Sequence, residues 1–306
     1  MIDISIVIVN FNTPRLLRDC LDSVLSARKA TSKLQIETLV VNVTPSDGSG
    51  DFLAKDYNWV TQIKTSSNDG FAANNNKALP YIKGKHILFL NSDTKVNSNA
   101  ISYVYDQMAK NPKVGAGTCK LELANGNLDP DCHRGFPTPW ASLCHFTGLA
   151  RFFPKSKLFG QYHLTFMDFE KEHEVDALAG AFMMIPKEVG KRVGFWDEDF
   201  FFYGEDIDFC YRIKQGGYQI MYYPQVKITH FKGASSGLRS ESQRVTTASN
   251  ETRQKLAAAS VDAMKIFYKK HWMEEYPGWV TGLVFVGIEL LKLFRMFKFR
   301  LAKKRL

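Results

Sequence analysis

Cysteine is scarce in this sequence, and the few cysteines form no recognisable pattern. Their number, five, is odd, and no C-x-x-C pair occurs, which argues against a disulfide framework like that of small secreted domains. Cys132-His133 and Cys144-His145 are the only neighbours from which a zinc site could be drawn. Separate reduced thiols are the simpler interpretation, and they indicate a cytoplasmic protein.

The sequence also shows no pattern typical of a targeting or membrane-spanning segment. Residues 1–10, MIDISIVIVN, contain no basic segment and no small-residue cleavage site, so we expect no signal peptide. The charge-free run at 276–288 is shorter than the roughly 20 apolar residues that a spanning helix needs. No P-loop occurs, and Gly115-Ala116-Gly117 lacks the third glycine of the dinucleotide-binding fingerprint.

Acidic residues are too few to balance the basic ones, and the imbalance is local. The net charge is +9, of which residues 261–306 carry +6, with ten Lys or Arg and four Asp or Glu. The first 260 residues therefore carry only +3. A positively charged groove across the main body is excluded, so we expect no nucleic-acid partner.

Apolar residues are plentiful, and their order predicts an α/β fold. The chain of 306 residues is 45% hydrophobic, enough for one large domain or a domain with a small appendage. Strand-like runs at 4–10, 37–43, 60–64 and 86–90 alternate with helical patterns. This alternation predicts a Rossmann-like, mostly parallel sheet flanked by helices on both faces.

Polar residues follow the predicted strands at their carboxyl ends, where ligands bind in such sheets. One polar residue there would mean little, but a polar residue after every strand indicates one common crevice. The residues concerned are Asn10, Asn12, Asn42, Asp47, Asn68, Asn91 and Asp93.

The second half of the chain reads less regularly. Residues 112–175 are rich in proline, glycine and aromatics, and we predict loops and short strands that line an acceptor side. Strands are predicted at 175–186 and 218–231, and helices at 204–216 and 253–271. The Ser, Thr and Gly content of residues 233–252 predicts a flexible loop between them.

Three groups in this framework can carry chemistry together. Asp93 follows a buried strand, where a carboxylate can hold Mg²⁺ or Mn²⁺ together with diphosphate oxygens and water. His230 ends a later strand and as a second ligand would favour Mn²⁺. Glu205 and Asp206 follow four aromatic residues, and a partly buried carboxylate there can act as a base. Alternatively, Asn91-Ser92-Asp93 is a simple turn, His230 is structural and residues 205–208 form a solvated helix face.

The chain resembles the inverting family 2 glycosyltransferases of the GT-A fold, especially their bacterial rhamnosyltransferase-like branch. The resemblance covers residues 3–272 in family order. The matching stretches are SIVIVNFNTPRLLRDCLDSVL, SSNDGFAANNNKAL, ILFLNSDTKV, GAFMMIPKEVGKRVGFWDEDFFFYGEDIDFCYRIKQGGYQIMYYPQVKITHF and KKHW.

The resemblance implies a role for each matching residue. Asp93, in Asn91-Ser92-Asp93, is the metal carboxylate, and His230 is the late metal-binding histidine. Glu205-Asp206 is the acidic pair, with Asp206 as the catalytic base. Four further residues match the segment beside the nucleotide: Asn68, Gly70, Asn75 and Asn76.

Two positions depart from the family pattern. Asn42 stands where an aspartate commonly accepts a hydrogen bond from the pyrimidine base; its amide oxygen can still accept, but it carries no charge. Trp196 replaces a phenylalanine, an exchange of one aromatic for another.

The function predicted from these features is inverting transfer of a sugar, rhamnose or another hexose, in bacterial surface polysaccharide synthesis. The donor is a dTDP- or UDP-sugar, and the acceptor is a hydroxyl of a glycan or lipid-linked molecule. The alternatives are a nucleotidyltransferase with a similar sheet and a non-catalytic sugar- or membrane-binding protein with a degenerate GT-A fold.

The C-terminal tail predicts an amphipathic helix. Leu290, Leu293, Phe294, Phe297 and Leu301 share one helical face, and the opposite arc carries Lys292, Arg295, Lys298, Arg300 and Lys303. Such a helix suits the anionic inner face of the cytoplasmic membrane, or it packs on the domain or a partner subunit as an oligomer interface.

We therefore expect three parts in the chain. Residues 1–110 form the nucleotide-sugar-binding half of one GT-A domain, and residues 111–252 form its acceptor-binding and catalytic half. Residues 253–306 form the C-terminal helices.

Overall fold

The computed structural model describes residues 1–43, 47–233 and 250–303. Its first ninety residues form the parallel half of a sheet, because each strand is followed by a helix that returns the chain to the same edge. The strand order is β3-β2-β1-β4. The elements are β1 (Ile4–Phe11), α1 (Pro14–Ala30), β2 (Ile36–Val43), α2 (Ser49–Asp56), β3 (Val60–Thr65), α3 (Phe71–Asn76) and β4 (His86–Asn91).

The rest of the domain extends this sheet with mixed pairing. Antiparallel β8 lies between β4 and β6, β9 runs parallel to β6, and β5 and β7 pair antiparallel with β9. The described residues thus form one nine-stranded sheet. The elements are β5 (Thr94–Val96), α4 (Ala100–Lys110), β6 (Val114–Leu123), α5 (Pro139–Thr147), α6 (Leu149–Phe152), β7 (His173–Glu174), β8 (Phe182–Pro186), α7 (Lys187–Val193), α8 (Glu205–Gln215), β9 (Gln219–His230), α9 (Asn250–His271) and α10 (Gly278–Lys303).

The prediction of irregular structure over 112–175 is wrong for β6, a ten-residue strand inside the sheet. Its two glycines interrupt the apolar pattern that would have identified it. Close packing requires both glycines. A Cβ added to Gly115 would lie 2.5 Å from the Cβ of Tyr218, and a Cβ added to Gly117 would lie 2.9 Å from the Sδ of Met108. Glycine in a strand therefore marks a close approach here rather than a turn.

Other boundaries differ modestly from prediction. The strand expected over 175–186 is confined to β8. The helical pattern expected between the third and fourth strands forms α3 and then a 3₁₀ turn at Leu79–Tyr81. The flexible loop predicted over 233–252 lies almost entirely outside the described residues. Residues 44–46, directly after β2, also lie outside them.

The two C-terminal helices form an antiparallel hairpin. Lys292 Nζ donates to Asp262 Oδ1 at 2.8 Å, and Arg295 Nη1 donates to Ser260 Oγ at 2.7 Å. These two basic side chains therefore face α9, not the solvent arc that the sequence pattern gave them. None of the helices in the described parts of the chain is both long and apolar enough to cross a bilayer.

Asp208 on α8 holds three parts of the fold together. Its fully buried carboxylate forms an ion pair with Arg212 at 2.8 Å and a hydrogen bond with His271 Nε2 at 2.7 Å, which ties α8 to the end of α9. Arg212 also donates to the carbonyl oxygens of Val193 and Phe195. A buried charge of this kind is costly to leave without its partner.

We therefore expect Asp208→Ala to lower the free energy of unfolding by about 3 kcal/mol, because Arg212 keeps a half-buried charge without its carboxylate. Urea unfolding measures the loss. The control is Asp262→Ala, which removes a half-exposed ion pair of α9 and should cost less than about 1 kcal/mol. Equal losses in the two variants would show that Asp208 is no more than a surface partner.

Candidate active site

A cleft opens at the carboxyl ends of β1 and β4 and is bounded by the first turn of α8 and the end of β9. This is the edge at which a parallel sheet binds its ligands. Eight residues predicted for the site line this cleft: Asn68, Gly70, Asn91, Ser92, Asp93, Glu205, Asp206 and His230.

Asn10 and Asn42 lie behind the cleft wall, fully buried. Asn10 Nδ2 donates to Asn42 Oδ1 at 2.9 Å, and Thr13 Oγ1 donates to Asn10 Oδ1 at 2.9 Å and lies 3.0 Å from Ser92 Oγ. Asn42 Oδ1 also accepts from Ser49 Oγ at 2.9 Å, whereas its Nδ2 finds no acceptor among the described residues. The free hydrogen-bonding atom of Asn42 is thus a donor, not the acceptor expected from the sequence.

Four other predicted residues do not line the cleft. Asp47 Oδ1 accepts from the backbone N–H of Ser49, and Asn12 has a positive φ of 53°. Asn75 Nδ2 donates to Phe71 O. Asn76 Nδ2 donates to Trp196 O and to Glu198. Their roles in binding a donor stay predictions.

Asn74 was missed although it lines the cleft, where its Nδ2 donates to Asn68 Oδ1 at 3.0 Å. The sequence offered a signal in the run Asn74-Asn75-Asn76, but one turn of helix points the three side chains in different directions. The facing residue could therefore be chosen only from the structure.

Asp93 and His230 are neighbours because β5 pairs with β9, which places Thr94 opposite His230. Asp93 Oδ1 lies 3.4 Å from His230 Nε2, and Asp129 Oδ2 lies 3.0 Å from His230 Nδ1. Burial lowers the pKa of His230, but the two carboxylates outweigh it and raise the pKa to about 9. Asp129, missed by the sequence reasoning, thus fixes the orientation of the imidazole ring.

This pair can serve as part of a metal site. Two ligand atoms each about 2.1 Å from one divalent cation lie about 3 Å apart, which is close to the observed separation of Asp93 and His230. The Asp129 contact at Nδ1 is the usual support of a ligating histidine. No group of three or more His, Cys, Asp or Glu side chains within the described ranges is arranged to hold a metal, so the remaining ligands would have to come from a substrate and water.

Charges alternate from this pair to the other side of the cleft. Lys232 Nζ donates to Asp129 Oδ1 at 2.5 Å and also to Asp131. Burial raises the pKa of Asp131, but the charges of Arg134 and Lys232 outweigh it and hold that pKa well below its usual range. Arg134 Nη2 then donates to Asp206 Oδ2 at 2.7 Å.

Arg134 and Asp206 form a largely buried ion pair. Burial lowers the pKa of Arg134, but Asp206 and Asp131 outweigh it and hold that pKa well above its ordinary value. Asp206 Oδ1 accepts from the backbone N–H of Ile207 at 2.8 Å. A carboxylate has about four acceptor positions, so Asp206 keeps room for a substrate hydroxyl. Sequence reasoning missed Arg134 because it lies in the segment read as irregular.

Glu205 differs from its neighbour in charge. Burial and the adjacent charge of Asp206 raise the pKa of Glu205 to about 8, so its carboxyl is neutral at pH 7. Its Oε2 has no hydrogen-bond partner in the described structure. A neutral carboxyl can donate a hydrogen bond, whereas Asp206 can only accept one.

An aromatic wall completes the cleft. Phe201, Phe202 and Tyr203 precede Gly204, the N-cap of α8, and Tyr203 has an unusual positive φ of 67°. Phe71 N donates to Phe201 O at 3.0 Å. Gly70 is required at this approach, because an added Cβ would lie 2.5 Å from that same carbonyl oxygen and its φ is +99°. Backbone strain of this kind is concentrated at functional sites.

Comparisons with known proteins identify the class of protein to which this fold and cleft belong. Residues 3–254 match the model of the family described as "Glycosyltransferase like family 2". The chain therefore belongs to that family and is a glycosyltransferase.

Among its relatives is N-acetylglucosaminyl-diphospho-decaprenol L-rhamnosyltransferase of Mycobacterium tuberculosis, 21% identical over 71% of this chain and 73% of the relative. Rhamnosyltransferase WbbL of Escherichia coli is 27% identical over 53% of this chain and 61% of that protein. A solved mannosyltransferase, PcManGT of Pyrobaculum calidifontis in complex with GDP-Man and Mn²⁺, has a TM-score of 0.56 at 15% identity, covering 87% of this chain and 64% of that one.

These similarities confirm two predictions made from the sequence. One is the α/β fold of GT-A type with flanking helices. The other is the resemblance to the rhamnosyltransferase-like branch of family 2. The nucleotidyltransferase alternative is set aside by the family match.

Glu205 makes the stability of the protein depend on pH. Its folded-state pKa of about 8 lies above the ordinary 4.5, so its contribution is complete below pH 4.5 and is lost as the pH rises through 8. Glu205→Gln keeps the neutral shape and should flatten the fall in stability over this window, as denaturant midpoints at several pH values would measure. The control Glu188→Gln changes an exposed carboxylate and should leave the fall unchanged. A wild-type midpoint that does not drop across the window would contradict the assignment.

Proposed function

We propose that the protein transfers a hexosyl group, rhamnose or another hexose, from a nucleotide diphosphate to an acceptor hydroxyl with inversion at the anomeric carbon. One observation carries the proposal: the Asp93–His230 pair and the Arg134–Asp206 pair line the same cleft, with charges of alternating sign between them. The first pair suits a leaving diphosphate and the second suits an attacking hydroxyl. Rhamnosyltransferase relatives support the sugar.

The donor would be a dTDP- or UDP-sugar bound across the carboxyl ends of β1 and β4. Asn68, Gly70, Asn91 and Ser92 would contact it from the cleft wall. Asn10 and Asn42 would support this wall from behind. Donor binding stays a prediction for the four residues that do not line the cleft, which are Asn12, Asp47, Asn75 and Asn76.

Asp93 and His230 would hold a divalent cation, Mn²⁺ or Mg²⁺, beside the donor diphosphate. Such a cation supplies charge stabilisation for the departing nucleoside diphosphate. The Mn²⁺ in the solved mannosyltransferase supports this assignment. Asp129 would position His230 through its Nδ1 contact.

Asp206 would act as the base. The acceptor oxygen forms a bond to the anomeric carbon while the bond from that carbon to the β-phosphate oxygen breaks. The hydroxyl proton passes to Asp206, which Arg134 and the Ile207 N–H hold in place. Neutral Glu205 would donate a hydrogen bond to a substrate hydroxyl. Asp208 is not available for this chemistry because it is committed to Arg212 and His271.

The acceptor would be a glycan or lipid-linked molecule, presented at the inner face of the cytoplasmic membrane. Residues 1–110 would then serve the donor and residues 111–252 the acceptor. An exposed apolar stripe on α10 supports membrane contact, and the helix carries no charge along it from Trp279 to Ile288. The stripe consists of Trp279, Leu283, Val286, Leu290, Leu293, Phe294 and Phe297, each more than half exposed. A second copy of the chain covering this stripe would instead produce an oligomer.

Replacing the base tests the mechanism directly. Asp206→Asn should lower kcat about 10²- to 10⁴-fold, since general-base assistance is worth that much, while the KM for the donor changes little. Rates with purified donor and acceptor measure the effect. The matched control is Asp208→Asn, which should retain the rate wherever the protein is folded. If calorimetry shows that donor affinity collapses in Asp206→Asn, Asp206 belongs to the donor site instead.

Removing divalent metal tests the role of Asp93 and His230. Transfer should stop in excess chelator and return when Mn²⁺ or Mg²⁺ is added. Asp129→Asn, which weakens the support of His230, should raise the metal concentration needed for half-maximal rate about 10- to 100-fold. Donor binding titrated with and without metal provides a readout independent of turnover. Full activity in chelator would rule out the metal assignment.

A further inference from the structure

One segment of the chain leaves the cleft and returns to it. The departure follows Arg134, and the return is fixed where Gly135 N donates to Tyr162 O at 3.0 Å. The outgoing and returning backbones at Gly135 and Gln161–Tyr162 form the neck of this segment. They are so close that a Cβ added to Gly135 would lie 2.2 Å from Gln161 O. The base of this segment is therefore anchored beside Arg134 of the Arg134–Asp206 pair.

The segment presents large apolar side chains to solvent. α5 and α6 meet at Gly148, whose φ is +81°. Contiguous exposed apolar surface marks an interaction site, and in this segment the rings of Trp140 and Phe153 both contact Phe159. The exposed side chains are Trp140 (40% exposed), Leu143 (50%), Phe146 (51%), Phe152 (79%), Phe153 (52%) and Leu158 (54%).

Within this segment the formal charge has one sign. No Asp or Glu occurs between residues 132 and 167, while Arg151, Lys155 and Lys157 are exposed among the aromatics. Exposed aromatics with unopposed Lys and Arg suit the headgroup region of an anionic bilayer. A second copy is a poorer partner, because the chain itself carries +9.

We propose that residues 140–158 form a membrane-contacting surface that lies in the headgroup region of an anionic bilayer. This inference rests on the proposed function at a membrane and adds a contact distinct from the α10 stripe. Because the neck ends beside Arg134, the bilayer would present a lipid-linked acceptor at the Arg134–Asp206 side of the cleft.

Two exposed tryptophans allow the two surfaces to be tested separately in the full chain. Trp140 belongs to the 140–158 surface and Trp279, 71% exposed, to the α10 stripe. The probe is a vesicle of phosphatidylglycerol and phosphatidylcholine in equal parts, with brominated acyl chains that quench nearby indoles. We expect the lipid to quench the fluorescence of Trp279→Phe, and we expect this quenching to disappear in Trp140→Phe/Trp279→Phe. If Trp279→Phe binds vesicles but is quenched no more than the double variant, the proposal is overturned.

Substitutions separate the apolar from the electrostatic contribution. Lys155→Gln/Lys157→Gln should weaken vesicle partitioning about tenfold at low salt and reduce its salt dependence. Phe152→Ser/Phe153→Ser should remove a salt-resistant part of the binding. The control Tyr81→Ser replaces a half-exposed aromatic elsewhere and should change nothing. If neither double variant alters partitioning, the surface does not contact lipid.

Two further measurements distinguish this proposal from a protein partner at the surface and from an error in the proposed enzyme activity. If Phe152→Ser/Phe153→Ser lowers the sedimentation mass in the absence of vesicles, a second copy covers the surface and the proposal is wrong. Transfer to a soluble acceptor tests the glycosyltransferase assignment independently. Activity there without vesicle binding would overturn the membrane contact and leave the enzyme assignment standing.

Discussion

In the described part of the chain four carboxyl groups line one cleft and a fifth, Asp129, lies buried directly behind it; their burial is the constraint on which the rest of this site depends. A buried charge must be paired or neutralised. Lys232 pairs with Asp129 and Asp131, Arg134 pairs with Asp206, and His230 lies between Asp93 and Asp129. Glu205 forms no ion pair with the basic side chains that the structure describes, and its proton neutralises it instead.

The mixed half of the sheet brings these partners together. Parallel pairing of β6 with β9 places Leu123 opposite His230, and the chain after β6 delivers Asp129 to the histidine ring. Pairing of β5 with β9 brings Asp93 to its other side. The mixed half of the sheet therefore assembles the acidic cluster through one parallel and one antiparallel pairing with β9, while the parallel strands β1 and β4 supply the edge on which a donor would lie.

Asp206 and Asp208 illustrate how position on one helix separates chemistry from structure. They are two residues apart on α8, so their side chains point to different sides. Asp206 lines the cleft and keeps acceptor capacity, whereas Asp208 is enclosed by Arg212 and His271. The same acidic stretch thus contains both the candidate base and a structural clamp.

Local pattern determined a good deal of this protein. The order of strands and helices, and the polar residues that follow the strands, come from side-chain periodicity within short windows. Asp93, Asp206 and His230 could be singled out because they sit at recognisable ends of such elements. β6 escaped because its glycines serve packing against distant side chains, which no local window contains.

Only the tertiary structure decided which side chains meet. Arg134 reaches Asp206 across 72 residues, and Asp129 reaches His230 across 101. Asn74, rather than its two neighbours, faces the cleft. Lys292 and Arg295 turn inward to α9 because Asp262 and Ser260 offer them partners, so the apolar face of α10 is left outside. Pairings of this kind depend on how elements pack, and the sequence records the elements but not their distances.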